Sequence, residues 1–596
     1  MAKEVRFRRG STQEHRGFTG ALAEVTVDTS TREIVVHDGE TAGGHRQARK
    51  PFDTVSALLK SREGPRGAEE TWAAGGFTYR EARQGALDHD LQTAGGAKLY
   101  LAGDTADVTA LGAPDVADPA GRGVYAPALV TSLAERRLRG VRLREILGVN
   151  YDPGQDAAGT INAFLPELAG AGIVITDPEN LELLCTRPIR IVSGLRLALG
   201  PSTTFRRGFA ADGDNNALFS RADWSVNTDD FELSGGVLTT VDRAQSGKLM
   251  SIYGNGWRIR ATRFLEFYGG QALVHGGDNN LIEGATFRSD TQEPGTGSCR
   301  MVGGRGFRGI GLQAQGGDDL FQFVPITHRR NARFNLSISD SAYIGCHGQS
   351  AAARVLVALI AGPQDEHAMT ATIRNVSFIG CSGTGGNRCL TIENTEGNGR
   401  VPRQIDNVLV EGCALDGSHQ NGLTRQDVSI TASFTDAIGD VALVNSQIRG
   451  TQRPYAITVA SDGARVTLDN VSAEAETSAL WIDSAATVVL KGGRYRVADA
   501  GGGHKPGHVV ELARDAGRAR LHIEGFPVFE GVAQDRAAIR LSSPAAQATI
   551  GDIEAYSRTG ATGTAGVSHA RGTSVRLGET AGDLQHAEQG LGKVRR

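Results

Sequence analysis

The chain has 596 residues, enough for several domains or for one domain followed by an elongated array of repeats. Its formal net charge of −4, from 63 Lys and Arg against 67 Asp and Glu, argues against a broad basic surface for nucleic acid. Glycine is abundant, at 79 residues, and aromatic residues make up only 6%, which is typical of many short strands joined by tight turns.

The sequence offers no segment that addresses the chain to a membrane. Its first residues lack the apolar core of a secretory signal, and the longest apolar stretch, near 355–361, is too short to span a bilayer. We therefore expect synthesis in a cytoplasm, with no membrane insertion and no nucleic-acid partner. The six cysteines have no zinc-finger spacing, so we also expect no metal and no cofactor.

The segment 1–50 predicts a compact β-rich domain. Residues 25–28 and 33–39 form alternating strands joined by a turn at 29–32. The segment contains four motifs: Arg8-Arg9-Gly10-Ser11, Phe18-Thr19-Gly20, Glu24-Val25-Thr26-Val27-Asp28 and His37-Asp38-Gly39-Glu40-Thr41-Ala42-Gly43-Gly44. These motifs resemble the N-terminal domain of phage tail-fibre and tailspike proteins, of the type also found on tropism-determinant proteins. The resemblance implies attachment to a virion or virion-like particle, commonly as a homotrimer.

Residues 51–114 resemble the connector that follows the attachment domain in tailspikes. Residues 52–59 predict a short amphipathic helix. The runs 75–80 and 95–100 predict strands that leave glycine turns.

A linker and a neck are predicted over residues 115–149. The linker is rich in Pro, Gly and Asp, and the stretch 130–147 that follows is rich in arginine with apolar residues interleaved. Two interpretations of this stretch stay open: a neck helix that bundles in a trimer, or a solvated charged helix.

Near residue 150 the sequence resembles the entry of a pectate-lyase-like right-handed β-helix. A short helical segment at 160–168 is followed by strands at 172–175 and 187–191. In that family a capping helix shields the open end of the first coil, whose unpaired N–H and C=O groups would otherwise invite aggregation.

A repeated tripeptide sets the interval of the coils. Ile344–Cys346 returns as Ile379–Cys381 and, loosened, as Glu411–Cys413, each copy after a short apolar strand. Asn445–Ser446 makes a fourth copy at nearly the same interval. Short strands that return at one interval indicate stacked coils. The three cysteines share one phase, so we expect them to stack inside the coil as small apolar side chains.

The predicted fold class is therefore all-β: a right-handed, single-stranded parallel β-helix over residues 150–571, of roughly 22 to 35 residues per coil. A small β-rich attachment domain and a short connector precede it, and the resemblance implies a homotrimer. Residues 572–596 lose the pattern and are predicted to form a small cap or tail. Functional sites are expected on the coil faces and turns, which vary most freely.

The densest polar cluster is the Gly-Gly-Asp-Asp run at 316–319. When Gly311 is aligned with Gly284 of the previous coil, Asp290 stands beside Asp318. When Gly311 is aligned with Gly345 of the following coil, His347 and Gln349 fall on the same face. The candidate catalytic residues are Asp290, Asp318 and Asp319, and the candidate substrate-binding residues are Glu283, His347, Gln349 and Arg354.

Such a cluster suits sugar chemistry. Glycoside hydrolysis usually needs two carboxyl groups, one that protonates the leaving oxygen and one that activates water or attacks. Crowded carboxylates raise one another's pKa, which supplies a protonated acid at neutral pH. The guanidinium of Arg354 is suited to pair with an acidic sugar.

The order of Asp318-Asp319 and His347-Gly348 also resembles polygalacturonases, which have an Asp-Asp pair on one coil and a His-Gly on the next. That family places an Asn-Thr-Asp one coil before the pair, whereas Asn227-Thr228-Asp229 lies much farther upstream here. Its Arg-x-Lys element is not evident either. We therefore expect only the carboxylate cluster to carry over.

The same residues also suit a purely structural turn. Asp caps backbone N–H groups and Gly accepts positive φ, and neighbouring residues of an extended strand point to opposite faces, so Asp318 and Asp319 are not expected to form a dyad with each other. His347 is likewise compatible with an ordinary turn position.

Three functional hypotheses follow. In the first, the chain is a tailspike of a phage or phage-derived particle that binds and cleaves a bacterial surface polysaccharide, such as capsule or lipopolysaccharide, as a glycoside hydrolase or, second, a lyase. In the second, it is a receptor-binding adhesin without turnover. In the third, it is a structural head or tail fibre of a gene-transfer-agent-like particle. All three place it in a virion, attached through residues 1–50.

Overall fold

The structure is a computed structural model. It describes residues 8–30, 33–46, 52, 57–58, 60–67, 70–74, 77–82, 91–102, 140–148, 150–210, 217–221, 226–243, 247–268, 270–290, 296–325, 337–350, 354–360, 371–386, 388–395, 402–417, 426–433, 435–450, 453–498, 507–514, 516–557, 565–570, 573–577, 580–582 and 594–595. The chain forms two compact units, Met1–Asn150 and Tyr151–Arg596. Within the described ranges, every helix is too short or too polar to reach across a bilayer.

The first unit begins with a four-stranded sheet. Its strands, in hydrogen-bonded order, are Arg8–Gly10, Val25–Asp28, Glu33–Val36 and His45–Arg46. The first pair is parallel and the other two are antiparallel. A short helix, Thr12–Arg16, follows the first strand and has a capping box formed by the residues at 11 and 14. The predicted pairing of the strands at 25–28 and 33–39 is confirmed, and the second strand ends at Val36.

Two buried histidines explain the motifs of this domain. His15 Nε2 and His37 Nε2 both contact the Thr26 hydroxyl, at 2.8 Å and 3.0 Å. Gly20 donates its N–H to His37 Nδ1 over 3.3 Å. A Cβ at Gly20 would lie 2.5 Å from His37 Cγ, and one at Gly44 would lie 2.6 Å from Nδ1. The motif glycines therefore leave the space that the His37 imidazole occupies.

A second four-stranded sheet follows, antiparallel throughout. Buried Trp72 donates from Nε1 to Glu81 Oε2 over 2.9 Å, and the Arg66 guanidinium lies 3.6 Å above the Trp72 ring. The strands, in hydrogen-bonded order, are Thr71–Ala74, Phe77–Glu81, Lys98–Ala102 and Leu91–Gln92.

The first unit ends with the short strand Val141–Arg142 and the helix Leu143–Leu147. Most of the predicted helix at 52–59 and most of the predicted linker and neck at 115–149 lie outside the described residues.

The second unit opens with the helix Ala157–Gly170, which confirms the helical segment predicted at 160–168. Asn162 ties this helix to the first coil: its Nδ2 donates to Pro188 O over 2.8 Å and its Oδ1 accepts from Arg190 N over 2.7 Å. These bonds satisfy backbone groups at the open end of the first strand of sheet 3, as expected of a capping helix.

Three parallel sheets then run through the rest of the unit, and each coil contributes to them in turn. Sheet 1 contains Val174–Asp177, Arg196–Leu199, Glu232–Ser234, Arg258–Arg260, Leu281–Glu283, Gly304–Arg305, Arg308–Ile310, Ile338–Ser339, Ala342–Ile344, Ile373–Ile379, Ile405–Glu411, Asp440–Val444, Arg465–Asp469, Thr487–Lys491, Arg520–Glu524, Gln547–Ile550, Ser574–Leu577 and Val594–Arg595. Sheet 2 contains Glu182–Cys185, Thr204–Arg207, Val237–Thr240, Arg263–Leu265, Thr286–Arg288, Gln313–Gln315, His347–Ser350, Ser382–Gly385, Ala414–Asp416, Gln447–Gly450, Ser472–Ala475, Arg494–Val497, Val528–Val532, Ile553–Ser557 and Thr580–Gly582. Sheet 3 contains Ile189–Arg190, Phe219–Ser220, Met250–Tyr253, Leu273–Gly276, Gly297–Met301, Asp319–Phe323, Arg354–Ile360, Arg388–Asn394, Gln426–Ala432, Tyr455–Ala460, Ser478–Ile482, Val510–Leu512, Ala537–Leu541 and Ala565–His569.

The register confirms the predicted fold class. Val174 pairs in parallel with Arg196, and Arg196 pairs in parallel with Glu232, so each coil returns beside the one before it. Long sheets of parallel strands joined coil by coil are typical of a right-handed β-helix. The predicted end of the β-helix at 571 is too early, because Ser574–Leu577 continues sheet 1 in register with Gln547–Ile550.

The corner between sheet 1 and sheet 2 explains the repeated tripeptide. Gly345, Gly380 and Gly412 have φ of 61°, 59° and 61°, and Asn445 has φ of 48°. Glycine and asparagine are the residues that adopt this left-handed conformation most readily. Each corner N–H donates to a carbonyl of the next coil, as Gly380 N does to Glu411 O over 2.7 Å.

The residue after each corner points into the coil. Cys346, Cys381 and Cys413 are buried free thiols, and each donates to a carbonyl of the preceding coil, over 3.5 Å, 3.4 Å and 3.4 Å. Ser446 Oγ makes the same bond over 3.4 Å. The predicted interior stack is confirmed.

A neutral histidine lies in the aromatic core of the β-helix. The His275 ring centroid is 4.4 Å from that of Phe307 and 5.2 Å from that of Trp257, and its Nε2 is 3.5 Å from Cys299 Sγ. Complete burial lowers the pKa of His275 to about 3.

The substitution Gly20→Ala is expected to destabilise the first unit by about 1–3 kcal/mol, because the new methyl group overlaps the His37 side chain. Gly17→Ala is the matched control, since a Cβ at Gly17 meets nothing within 4 Å. Hydrogen exchange of the amides in residues 8–46 measures both effects. Equal protection in the two variants would contradict the packing described for His37.

His275 is expected to make the β-helix sensitive to acid. Its folded-state pKa of about 3 lies below the ordinary value of 6.5, so the unfolded chain binds the proton more readily. The contribution of neutral His275 to the free energy of unfolding is complete above the ordinary pKa. It falls by up to about 1.4 kcal/mol per pH unit as the pH drops toward the folded-state pKa. His275→Phe should show a shallower loss of Tm between pH 6 and pH 4 than the parent chain, and parallel curves would contradict this account.

Candidate functional site

The chain passes from sheet 2 to sheet 3 through one connection in each coil. Five consecutive coils bring charged or phenolic side chains into these connections or onto the first residue of the following strand. We call this set the corner ridge; its members are Arg243, Glu266, Tyr268, Asp290, Asp318, Asp319 and Arg354.

The strongest interaction of the corner ridge joins Asp319 and Arg354. These residues begin neighbouring strands of sheet 3 and are paired in register. Arg354 Nε and Nη2 donate to the two carboxylate oxygens of Asp319 over 2.5 Å and 2.7 Å, a bidentate arrangement. Burial raises the pKa of Asp319, and Arg354 opposes that shift. With both oxygens engaged and only 8% of the residue exposed, Asp319 is placed to position Arg354.

Asp318 is half-buried beside this pair. Its carbonyl accepts from Arg354 N over 2.8 Å, and its carboxylate contributes to raising the pKa of both Asp319 and Arg354. Asp318 and Asp319 thus share one cation, Arg354, and the structure brings together three of the predicted site residues.

Asp290 lies one coil before Asp318 but contacts a different cation. Arg243 Nη2 donates to Asp290 Oδ1 over 3.3 Å, and both side chains are accessible, 60% and 62% exposed. The Arg243 guanidinium also lies 5.0 Å from the centre of the Tyr268 ring. Asp290, Arg243 and Tyr268 therefore form a group that spans three coils, in which the two charged side chains are exposed and the tyrosine is buried.

Tyr268 links Asp290 to a second carboxylate, Glu266. The Tyr268 hydroxyl donates to Glu266 Oε2 over 2.6 Å. Burial raises the pKa of the Tyr268 phenol, and its contacts with Glu266 and then Asp290 raise it further. The phenol thus stays protonated and lies between two carboxylates on successive coils.

The backbone holds Glu266 in an unusual conformation. Its φ is +50°, in the left-handed region that non-glycine residues seldom adopt. Glu266 N donates to Arg288 O over 2.9 Å, and Glu266 O accepts from Thr240 Oγ1 over 2.6 Å. Bonds to both neighbouring coils therefore fix the position of this residue.

Three predicted residues lie away from the corner ridge. His347 and Gln349 are exposed on the outer face of sheet 2, where His347 Nδ1 contacts Ser382 Oγ at 2.9 Å. Glu283 ends a strand of sheet 1 and pairs with Arg260, 3.3 Å away. His347 and Gln349, expected on the same face as Asp290 and Asp318, thus lie on a strand of sheet 2, before the corner that carries the aspartates.

Arg243, Glu266 and Tyr268 were not predicted from the sequence. The alignment used corner glycines, and the coil that contains Glu266 and Tyr268 has Ala261 at its corner, with φ of +49°. Allowing alanine there would have aligned this corner with Gly284 of the next coil, and both residues would then have stood beside Asp290.

Within the described ranges, no group of three or more His, Cys, Asp and Glu side chains is arranged to hold a metal ion. The corner ridge instead offers donors, acceptors and ionisable groups in a row. Hydrogen bonding to hydroxyl groups, pairing with an acidic group and proton transfer are the chemistry open to these side chains.

Comparison with known proteins identifies relatives of the N-terminal segment. Residues 5–41 match the model of the Major tropism determinant N-terminal domain. A tail fiber receptor-binding protein of Bordetella phage BPP-1 is 48% identical over 61 residues, which are 10% of this chain and 16% of that protein. The chain thus matches about a sixth of the length of this relative. The predicted resemblance of the N-terminal domain is confirmed.

Two solved structures with a similar course of the chain are mutants of the tailspike protein of E. coli bacteriophage HK620. One, in complex with a hexasaccharide, covers 76% of this chain and 79% of its own, at 11% identity and a TM-score of 0.43. The other covers 75% and 80%, at 10% identity and a TM-score of 0.47. The β-helix of the present chain is established by its own register, and its N-terminal segment is of the tropism-determinant type.

Proposed function

We propose that the chain is a receptor-binding spike of a phage or phage-derived particle. The observation that carries this proposal is the match of residues 5–41 to the Major tropism determinant N-terminal domain. The relative that shares this segment is named for receptor binding on a tail fibre. In this proposal residues 1–50 fasten the chain to a virion protein, the chain assembles as a homotrimer, and the β-helix presents the receptor-binding surface.

The receptor in this proposal is a bacterial surface polysaccharide, such as capsule or lipopolysaccharide. The corner ridge and the outer face of sheet 2 support it, because together they present hydroxyl, carboxylate, amide and guanidinium groups along the coils. His347 and Gln349 are exposed and placed to bond sugar hydroxyls. Arg354, fixed by Asp319, is suited to pair with an acidic sugar.

A second candidate function adds cleavage of that polysaccharide by hydrolysis. The observation that favours it is the Tyr268 hydroxyl between the carboxylates of Glu266 and Asp290. Two carboxyl groups on either side of a glycosidic bond provide the acid that protonates the leaving oxygen and the base or nucleophile that completes hydrolysis. Asp318, on the next coil, remains a proposed participant, whereas Asp319 takes the positioning role.

Polysaccharide from the envelope of the bacterium that the particle infects, incubated with the purified chain, tests both functions. Retention of the polysaccharide on the immobilised chain reports binding, and shorter products with new reducing ends report hydrolysis. If the chain neither retains nor shortens the polysaccharide of a strain that its particle demonstrably infects, the saccharide proposal is wrong and the structural fibre of a gene-transfer-agent-like particle is favoured.

The variants Glu266→Gln and Asp290→Asn are each expected to lower the rate of cleavage by about 10²–10⁴-fold, the usual contribution of a general acid or base, with binding retained. Glu283→Gln is the matched control, since Glu283 is also an exposed carboxylate 3.3 Å from an arginine, but on sheet 1. Cleavage unchanged in both ridge variants would remove the catalytic assignment. Binding without products in the parent chain would favour the adhesin.

A further inference from the structure

A second set of charged side chains, away from the corner ridge, surrounds a small cavity on the outer face of sheet 1. The cavity has a volume of about 90 Å³ and lies over the strands that open this sheet, from Val174–Asp177 to Arg258–Arg260. Its volume holds a group several times the size of a water molecule. Its charged lining consists of Arg196, Glu232, Arg258 and Arg260.

Register places three of these charged side chains in one column. Arg196, Glu232 and Arg258 are partners on successive parallel strands, so their backbones lie about 4.8 Å apart from strand to strand. All three side chains point outward, because the residue that follows each of them is buried in the core. The column therefore brings guanidinium groups to both sides of a single carboxylate.

Small side chains form the floor of the cavity. Ala198 and Ser234 are the next outward residues after Arg196 and Glu232 on the same two strands, and both line the cavity. Arg260 follows them in this second column and stands at the end of the recess. The recess is thus two strands wide, with charged side chains along one side and a guanidinium at one end.

The guanidinium groups around the cavity keep their hydrogen-bond donors available. Arg196 lies 3.9 Å from Glu232, and Arg260 lies 3.3 Å from Glu283 on the strand beyond the cavity. Among the described residues, Arg258 has no ion-pair partner, and none of the three guanidinium groups donates a hydrogen bond. The arginine side chains are also accessible, with Arg196 49% and Arg260 48% exposed.

These groups suit one kind of ligand. Three guanidinium groups against one carboxylate give the cavity a positive charge, which favours an anion. A guanidinium presents a planar fork of N–H donors that matches the oxygens of a carboxylate or a phosphate. Glu232 and Glu283 beside the arginines disfavour a polymer with a negative charge on every unit, such as a nucleic acid. They leave room for a single oxyanion on a polymer rich in hydroxyl groups, and the Ser234 hydroxyl is placed on the floor to bond one of these.

We propose that this cavity binds an acidic sugar, whose carboxylate or phosphate oxygens are held by Arg196, Arg258 and Arg260. The inference rests on the proposed function for the source of that sugar, a bacterial surface polysaccharide, but not for the site itself. The cavity lies on sheet 1, whereas the corner ridge lies where the chain passes from sheet 2 to sheet 3, so the two sites can be altered independently.

The test is calorimetric titration of the full chain with three probes: methyl glucuronide, which has a carboxylate, glucose 6-phosphate, and neutral methyl glucoside. At least one of the two anionic probes is expected to bind, and methyl glucoside is not. The anion that binds identifies the chemistry of the natural ligand. The double variant Arg196→Gln/Arg258→Gln should weaken that binding about 10–100-fold, because it removes charge-assisted hydrogen bonds.

The matched control is Arg465→Gln/Arg520→Gln. It removes the same charge from two outward positions of sheet 1 farther along the β-helix, where Thr487 separates the arginines. This variant should bind as the parent chain does. A second variant, Ser234→Phe, fills the cavity without changing any charge, and it should lose binding while its Tm stays that of the parent chain.

The proposal is overturned if neither anionic probe binds, if methyl glucoside binds equally well, or if either cavity variant keeps the affinity of the parent chain. An equal loss in the control variant would overturn it too, since the effect would then follow the net charge alone. Retention of the host polysaccharide by a chain that binds neither probe would remove this site and leave the proposed function standing. Probe binding by a chain that retains no polysaccharide would leave the site standing without that function.

Discussion

The left-handed corner between sheet 1 and sheet 2 is the constraint on which the β-helix depends. At each such corner the backbone turns within one residue and donates its N–H to the next coil. Glycine accepts that conformation without cost from a Cβ, and asparagine accepts it readily. From Ala261 to Asn470 this corner is a single left-handed residue in every coil, so loops elsewhere can differ in length while the three sheets stay in register. The unequal intervals from Ile310 to Ile344 and from Val441 to Val466 show this freedom.

That regularity is also what creates the corner ridge. Arg243 and Arg354 are far apart in sequence, yet both stand in the connection from sheet 2 to sheet 3 or at its end. Stacked coils thus convert distant positions into neighbours about 4.8 Å apart from one coil to the next. The ridge divides into two parts: a largely buried bidentate pair, Asp319 and Arg354, and a group in which buried Tyr268 lies between half-buried Glu266 and the exposed Asp290 and Arg243. The first fixes geometry, and the second presents two accessible charged side chains to a ligand.

The sequence predicted the parts of this arrangement that depend on periodicity. Corner glycines indicated the coil interval, the interior position of Cys346, Cys381 and Cys413, and the neighbourhood of Asp318 and Arg354. Glu266 and Tyr268 were not predicted, because the corner of their coil is Ala261 and the coils had been aligned on corner glycines. Which arginine of the corner ridge pairs with which aspartate could not be predicted either, because the direction of a side chain at a corner depends on the local φ and ψ. For the same reason His347 and Gln349 were expected beside Asp318, whereas they lie on sheet 2.

The stacking of the coils fixes the distances along each sheet, and one of them can be measured directly. Spin labels on cysteines introduced at Thr286 and Ser472, outward positions six strands apart on sheet 2, should lie about 29 Å apart if every intervening coil adds one strand spacing of about 4.8 Å. Pulsed electron spin resonance on the doubly labelled chain, diluted in unlabelled chain, measures that distance. A narrow distribution near this value is the predicted result. A distance far from it would contradict the stacked coils and with them the corner ridge.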